Sequence, residues 1–142
     1  MSRIVLWLMP MLAMAGIASA QPATSVSSQF DGTWQVTVQC ENTVGGVRGY
    51  RWVFFATVQN GHLHGEYGVR NAIESFMLDG VIQPDGVGHF YGHGRTGNSD
   101  ATFGRVDPGS PFAYHVNAQF GPAHGTGQRV ELRPCSLDFA RQ

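Results

Sequence analysis

The stretch TWQVTVQC, residues 33–40, alternates without a break: Trp34, Val36, Val38 and Cys40 fall on one side, Thr33, Gln35, Thr37 and Gln39 on the other. Side chains along a strand point in turn to its two faces, so this reads as an antiparallel strand with one buried and one wet side. Its last apolar-side residue is one of two cysteines in the chain; the other is Cys135. A disulfide needs its Cα atoms within about 7 Å. Pairing Cys40 with Cys135 therefore sets the first strand beside the last. It closes a loop of about 95 residues, worth roughly 4–5 kcal/mol if the bond acts by restricting the unfolded chain. Two free thiols are the alternative, and the spacing excludes a CxxC-type redox pair.

Working outward, short β-rich runs recur every 10–15 residues or so, split by Gly, Pro, Asn and Asp. GYRWVFFATVQ is apolar on both faces. Asn60-Gly61 then supplies a hairpin signal, because a type I′ turn needs positive φ at both central positions. HLHGEYGV is the third strand, residues 73–83 a fourth with a bulge expected near Asp79-Gly80, and PDG at residues 84–86 a turn. VGHFYGHGRTG reads as a fifth strand whose glycines mark close backbone packing or a bend. ATFGRV reads as a short sixth, FAYHVNAQF as a seventh and GTGQRVELRPCSLDF as the eighth, with Val130 and Leu132 opposite Arg129, Glu131 and Arg133. Eight strands joined by short turns make a meander. With its ends stapled, the meander becomes an eight-stranded antiparallel up-and-down barrel; a β-sandwich is the alternative.

The chain has 142 residues, enough for one domain. Residues 1–20, MSRIVLWLMPMLAMAGIASA, place Arg3 before an apolar run and end Ala-Ser-Ala, the pattern of a secretory signal peptide. Residues 21–29 are expected to be a disordered leader and 30–142 the barrel. The expected compartment is the periplasm or the exterior, where a disulfide persists. Without Arg3, eight arginines face ten acidic residues, and there is no lysine. That balance excludes a nucleic-acid partner, which requires a clustered basic face, and offers no polybasic membrane patch. No membrane span is expected after cleavage. An outer-membrane barrel is disfavoured by Arg129, Glu131, Arg133 and His115, all expected on the outside.

Two histidine sets raise questions of chemistry. His62, His64 and Glu66 share one face of the third strand, a spacing that can ligate zinc; Leu63 and Tyr67 on the other face favour the reading that the polar set is in water. His89, Tyr91, His93 and Arg95 share one face of the fifth strand, which would be a pocket wall for an anionic ligand if it looked inward. GHGRTG is no phosphate loop, since no Gly-Lys-Ser/Thr or helix follows. Neither a Gly-x-Ser-x-Gly elbow nor a His-Glu-x-x-His motif is present.

The frame FDGTW…C, ATVQNGHLHGEYG, LDGVIQPDG, GRTG and GTGQRVELRPC resembles a group of small exported bacterial β-barrel proteins without assigned activity. The architecture is similar to the lipocalin and avidin group, whose barrels often open on a Gly-x-Trp such as Gly32-Thr33-Trp34. That resemblance implies a tryptophan plugging one barrel end; the polar contacts for biotin have no counterpart. The expected function is an exported, non-enzymatic binding module taking a small, partly apolar ligand in the barrel mouth. Trp34, Trp52, Tyr91 and Tyr114 are the expected contacts, with His89, His93 and Arg95 as polar candidates and no cofactor. An envelope protein-binding module, such as a hydrolase inhibitor, and a His-dependent metal enzyme are the alternatives.

Overall fold

The computed structural model describes residues 27–142, so the expected signal peptide and most of the 21–29 leader lie outside the described residues. The alternation of the opening stretch is where the core begins. Trp34, Val36, Val38 and Cys40 are fully buried, while the residues between them are half-buried or exposed. They belong to β1, Gly32–Cys40. The chain continues through β2 (Tyr50–Gln59), β3 (His62–Tyr67), β4 (Ser75–Ile82), β5 (Val87–Arg95), β6 (Pro111–Phe120), β7 (His124–Arg129) and β8 (Cys135–Arg141). Each strand pairs antiparallel with the next, and β8 pairs back onto β1 from Trp34↔Arg141 to Cys40↔Cys135. The barrel is closed. At the end of that register Cys40 and Cys135 are disulfide-bonded, their Cα atoms 4.3 Å apart. A sandwich would leave β1 with a free edge; here both its edges are occupied.

The expected eight strands are not the same eight. Residues 101–106 are not extended: two short 3-10 turns, Ser99–Ala101 and Phe103–Arg105, stand there. Gly104 and Arg105 have positive φ, which ends extended backbone, and the Asn98 side chain accepts from the Asp100 amide to start the first turn. The expected final strand is two, β7 and β8, parted at Leu132 with φ 69° and at Pro134, which has no amide to donate. The expected bulge at Asp79-Gly80 is absent, since pairing runs unbroken through both residues on either side.

The two ends of the barrel differ. One is closed by tight turns. Asn60 and Gly61 both take positive φ, and the Asp31 carboxylate accepts from their two amides at 2.9 and 3.2 Å. The rings of Phe30, Trp34, Phe90, Phe120 and Phe139 fill this end. The Trp34 indole donates to the Phe30 carbonyl at 2.9 Å. Arg141 lies over the Trp34 ring and donates to the carbonyls of Gln29, Asp31 and Pro122. Gln29, expected in the disordered leader, also donates to the Pro84 carbonyl and is so tied to the barrel.

At the other end the connections are long: residues 41–49, 68–74, 96–110 and 130–134. The interior is mainly apolar and aromatic. The outer wall carries Arg51, His62, His64, Asp79, His89, His115 and Asp138, the reverse of a membrane barrel's polarity. Among the described residues no helix is long and apolar enough to cross a membrane.

Candidate functional site: the barrel mouth

Where the interior meets the long connections, the core is not filled. A cavity of about 320 Å³ opens there, walled by Tyr50, Trp52, Phe103, Phe112, Arg129 and Arg133. Strand alternation explains its aromatic side. Tyr50 and Trp52 point inward from the start of β2, and Phe112 and Tyr114 from the start of β6. The rings pack in two stacked groups, Trp52 with Tyr67 and Phe76 with Phe112 and Tyr114, and the contacts from Trp52 to Phe76 and Phe112 are tilted by 37°. Trp52 stacks on Tyr67 with centroids 5.0 Å apart, Phe76 is stacked against Phe112 at 6.1 Å and Tyr114 at 5.5 Å, and Tyr50 lies 4.4 Å from Trp52. The cavity between the rings of Tyr50, Trp52, Phe103 and Phe112 is an aromatic slot against whose walls another ring can pack.

Arg129 is the last residue of β7 and shares the inward face with Gly125 and Gly127. Its guanidinium lies 4.0 Å from the centroid of Tyr114, and its Nε donates to the Glu131 carbonyl at 2.8 Å. Arg133 enters from the β7–β8 connection and is 4 % exposed. It donates to the carbonyls of Glu41, Arg48 and Ala101, so one side chain ties three connections together across the mouth. Its Nε and the Tyr114 hydroxyl are buried without a hydrogen-bond partner. Burial pushes the phenols of Tyr50 and Tyr114 up, Tyr50 against a downward pull from Arg129 and Arg133. It pulls the Arg133 guanidinium down.

The structure scatters the expected ligand contacts. Trp52 lines the mouth. Tyr114, 1 % exposed, lies in the core beneath Arg129. Trp34 is wholly buried at the opposite end, the plug that the resemblance implied, and cannot touch a molecule in the mouth. His89, Tyr91, His93 and Arg95 point outward: Phe90 and Gly92 between them are the buried residues. Tyr91, His93 and Arg95 line an open hollow on the outer wall rather than a pocket inside the barrel. His89 meets Asn117 at 3.1 Å. The glycines of this strand do mark close packing: a Cβ on Gly92 would stand 2.6 Å from the Phe76 ring.

His62, His64 and Glu66 also face outward, with Leu63 buried between them. His64 is engaged on both ring nitrogens, by Asp79 at 2.5 Å and Glu66 at 3.0 Å, and Arg70 takes the same Glu66 oxygen. His62 lies opposite Val81 in the register, away from that set. Among the described residues no three His, Cys, Asp or Glu side chains are disposed around one metal position.

Arg129 and Arg133, which the expected strand put outside with Glu131, are the residues that sequence reasoning misplaced. The signal was present. Both share odd parity with Cys135, whose side chain must point to Cys40 and hence inward; the interrupted strand between them hid it. Comparison with protein-family models, with curated proteins and with solved structures finds no match to this chain.

Proposed function

We propose that the chain is an exported, non-catalytic binding module that takes a small, partly apolar molecule into the barrel mouth. The observation that carries this reading is the cavity under the long connections, walled by the rings of Tyr50, Trp52, Phe103 and Phe112 while the opposite end is packed shut. Its volume lies at the lower end of the range for small-molecule sites, which suits a body of two or three rings. The signal-like residues 1–20 and the Cys40–Cys135 bond both suit an oxidising compartment outside the cytoplasm. The reading places the chain with the small exported barrels it resembles and, by architecture, beside ligand carriers of the lipocalin kind.

The test is a titration of the mature protein with a library of small aromatic compounds, read by tryptophan emission. Binding is expected to change the emission of wild-type protein and to leave Trp52→Phe silent, because Trp34 is buried at the far end. A response that survives unchanged in Trp52→Phe, or no response to any compound, would overturn the reading.

A further inference from the structure

We infer that the molecule taken at the mouth is an organic acid: a flat, mainly apolar body with one anionic group that Arg129 and the free Nε of Arg133 receive. This deepens the proposed function and rests on the mouth being a ligand site. Three arginines and one carboxylate line the cavity, Arg48, Arg129 and Arg133 against Glu74. The ion pairs of arginine among the described residues are Arg70–Glu66 and Arg105–Asp100, both on the exterior. None of the three mouth arginines has a carboxylate partner among the described residues. Removing a guanidinium from water without a counter-charge is unfavourable, and carbonyl acceptors satisfy its hydrogens without neutralising it.

Arg133 illustrates the point. Three backbone carbonyls hold its two terminal nitrogens, yet its Nε faces no acceptor at 4 % exposure. Arg129 has its Nε on the Glu131 carbonyl and one terminal nitrogen 4.0 Å from the Cys135 sulfur, a weak acceptor. Below it the Tyr114 hydroxyl is, with the Arg133 Nε, the second buried donor without a partner. Arg129 and the Arg133 Nε border the cavity itself, next to the aromatic slot, and an acid oxygen is the acceptor that answers an unused N–H donor together with uncompensated charge. A neutral hydrocarbon would fill the slot and leave that donor as it is.

Two fluorescent probes separate the charge from the body. 8-Anilino-1-naphthalenesulfonate and N-phenyl-1-naphthylamine share their rings and differ by the sulfonate. The wild-type protein is expected to bind the sulfonate tighter by about 10- to 100-fold, the range of a hydrogen bond to a charged group. Arg129→Gln is expected to bring the two affinities within about threefold while N-phenyl-1-naphthylamine still binds, and Arg129→Lys, which keeps the charge but not the planar fork, to retain part of the preference. Arg51→Gln, on the outer wall, is the control expected to change neither affinity. Unchanged melting temperatures separate loss of contact from loss of fold. Raising the salt concentration should erode the preference in wild-type protein and not in Arg129→Gln. Equal affinities in wild-type protein, or a preference unaltered by Arg129→Gln, would overturn the acid and leave the mouth site standing. Failure of both probes to bind would overturn both.

Discussion

Single residues carry most of what is specific here, and glycine shows it by what it leaves room for. Gly92 faces inward between Phe76 and Tyr114, where an added Cβ would meet ring atoms at 2.6 and 3.3 Å. Gly92→Ala should therefore destabilise by about 1–3 kcal/mol through overpacking, measurable by urea denaturation. On the outer wall, charge decides. The hydrogen bond to Asp79 raises the His64 pKa, helped by Glu66. Its share of stability is complete below the free value of about 6.5 and is lost as pH rises through the raised one. Glu66 is held down by Arg70, and Glu131 by the His115 amide and ring, so their shares are present above about 4.3 and lost as pH falls. Melting temperature should accordingly be highest between about pH 4.5 and 6.5. His64→Asn should flatten the alkaline limb and Glu131→Gln the acid one. His64 is half in solvent, so its effect is at most about 1 kcal/mol after screening.

Elements are joined by turns whose chemistry is local, with one exception. Asn60-Gly61 supplies the positive φ that a two-residue hairpin needs, which is why this turn is legible from two letters. What holds it is Asp31, thirty residues earlier, accepting from both turn amides. Asp31→Ala should cost about 1–2 kcal/mol, whereas Asp31→Asn, which keeps one acceptor, should cost less; thermal melts of the two variants decide it. The stretch from Gly125 to Phe139 is the harder case. Its periodicity looks continuous, but Leu132 in a left-handed conformation and Pro134 break it, so the β7–β8 connection, not a strand, delivers Arg133 into the mouth. The opposite error balances it. Residues 101–106 carry a strand-like pattern, and Gly104 with Arg105 folds them into 3-10 turns over the cavity instead.

At the scale of the whole molecule, two arginines far apart in sequence close the two ends in similar ways. Arg141 binds three carbonyls over Trp34, and Arg133 binds three carbonyls across the mouth. Between them the disulfide links the strands where the sheet meets itself. Replacing both Cys40 and Cys135 by Ser should lower stability by roughly 4–5 kcal/mol, because a loop closed across a sequence separation of 95 regains freedom in the unfolded chain. The β1–β8 pairing contains six further residue pairs, so the variant should still fold as a barrel at low temperature. Its far-ultraviolet circular dichroism should match the wild type while its denaturation midpoint falls.

Period-two alternation, turn residues and one pair of cysteines were enough to determine an antiparallel barrel closed through its first and last strands, because each of these signals acts over a few residues or through one covalent bond. The inward or outward facing of the two histidine strands followed the same logic only where Leu63 and Phe90 marked the apolar side. Which side chains meet at the mouth was decided by tertiary structure alone. The barrel's curvature brings the starts of β2 and β6, the end of β7 and four long connections to one rim. Neither the stacking of Trp52 against Tyr67 nor the absence of a carboxylate beside Arg129 and Arg133 has any trace in local spacing.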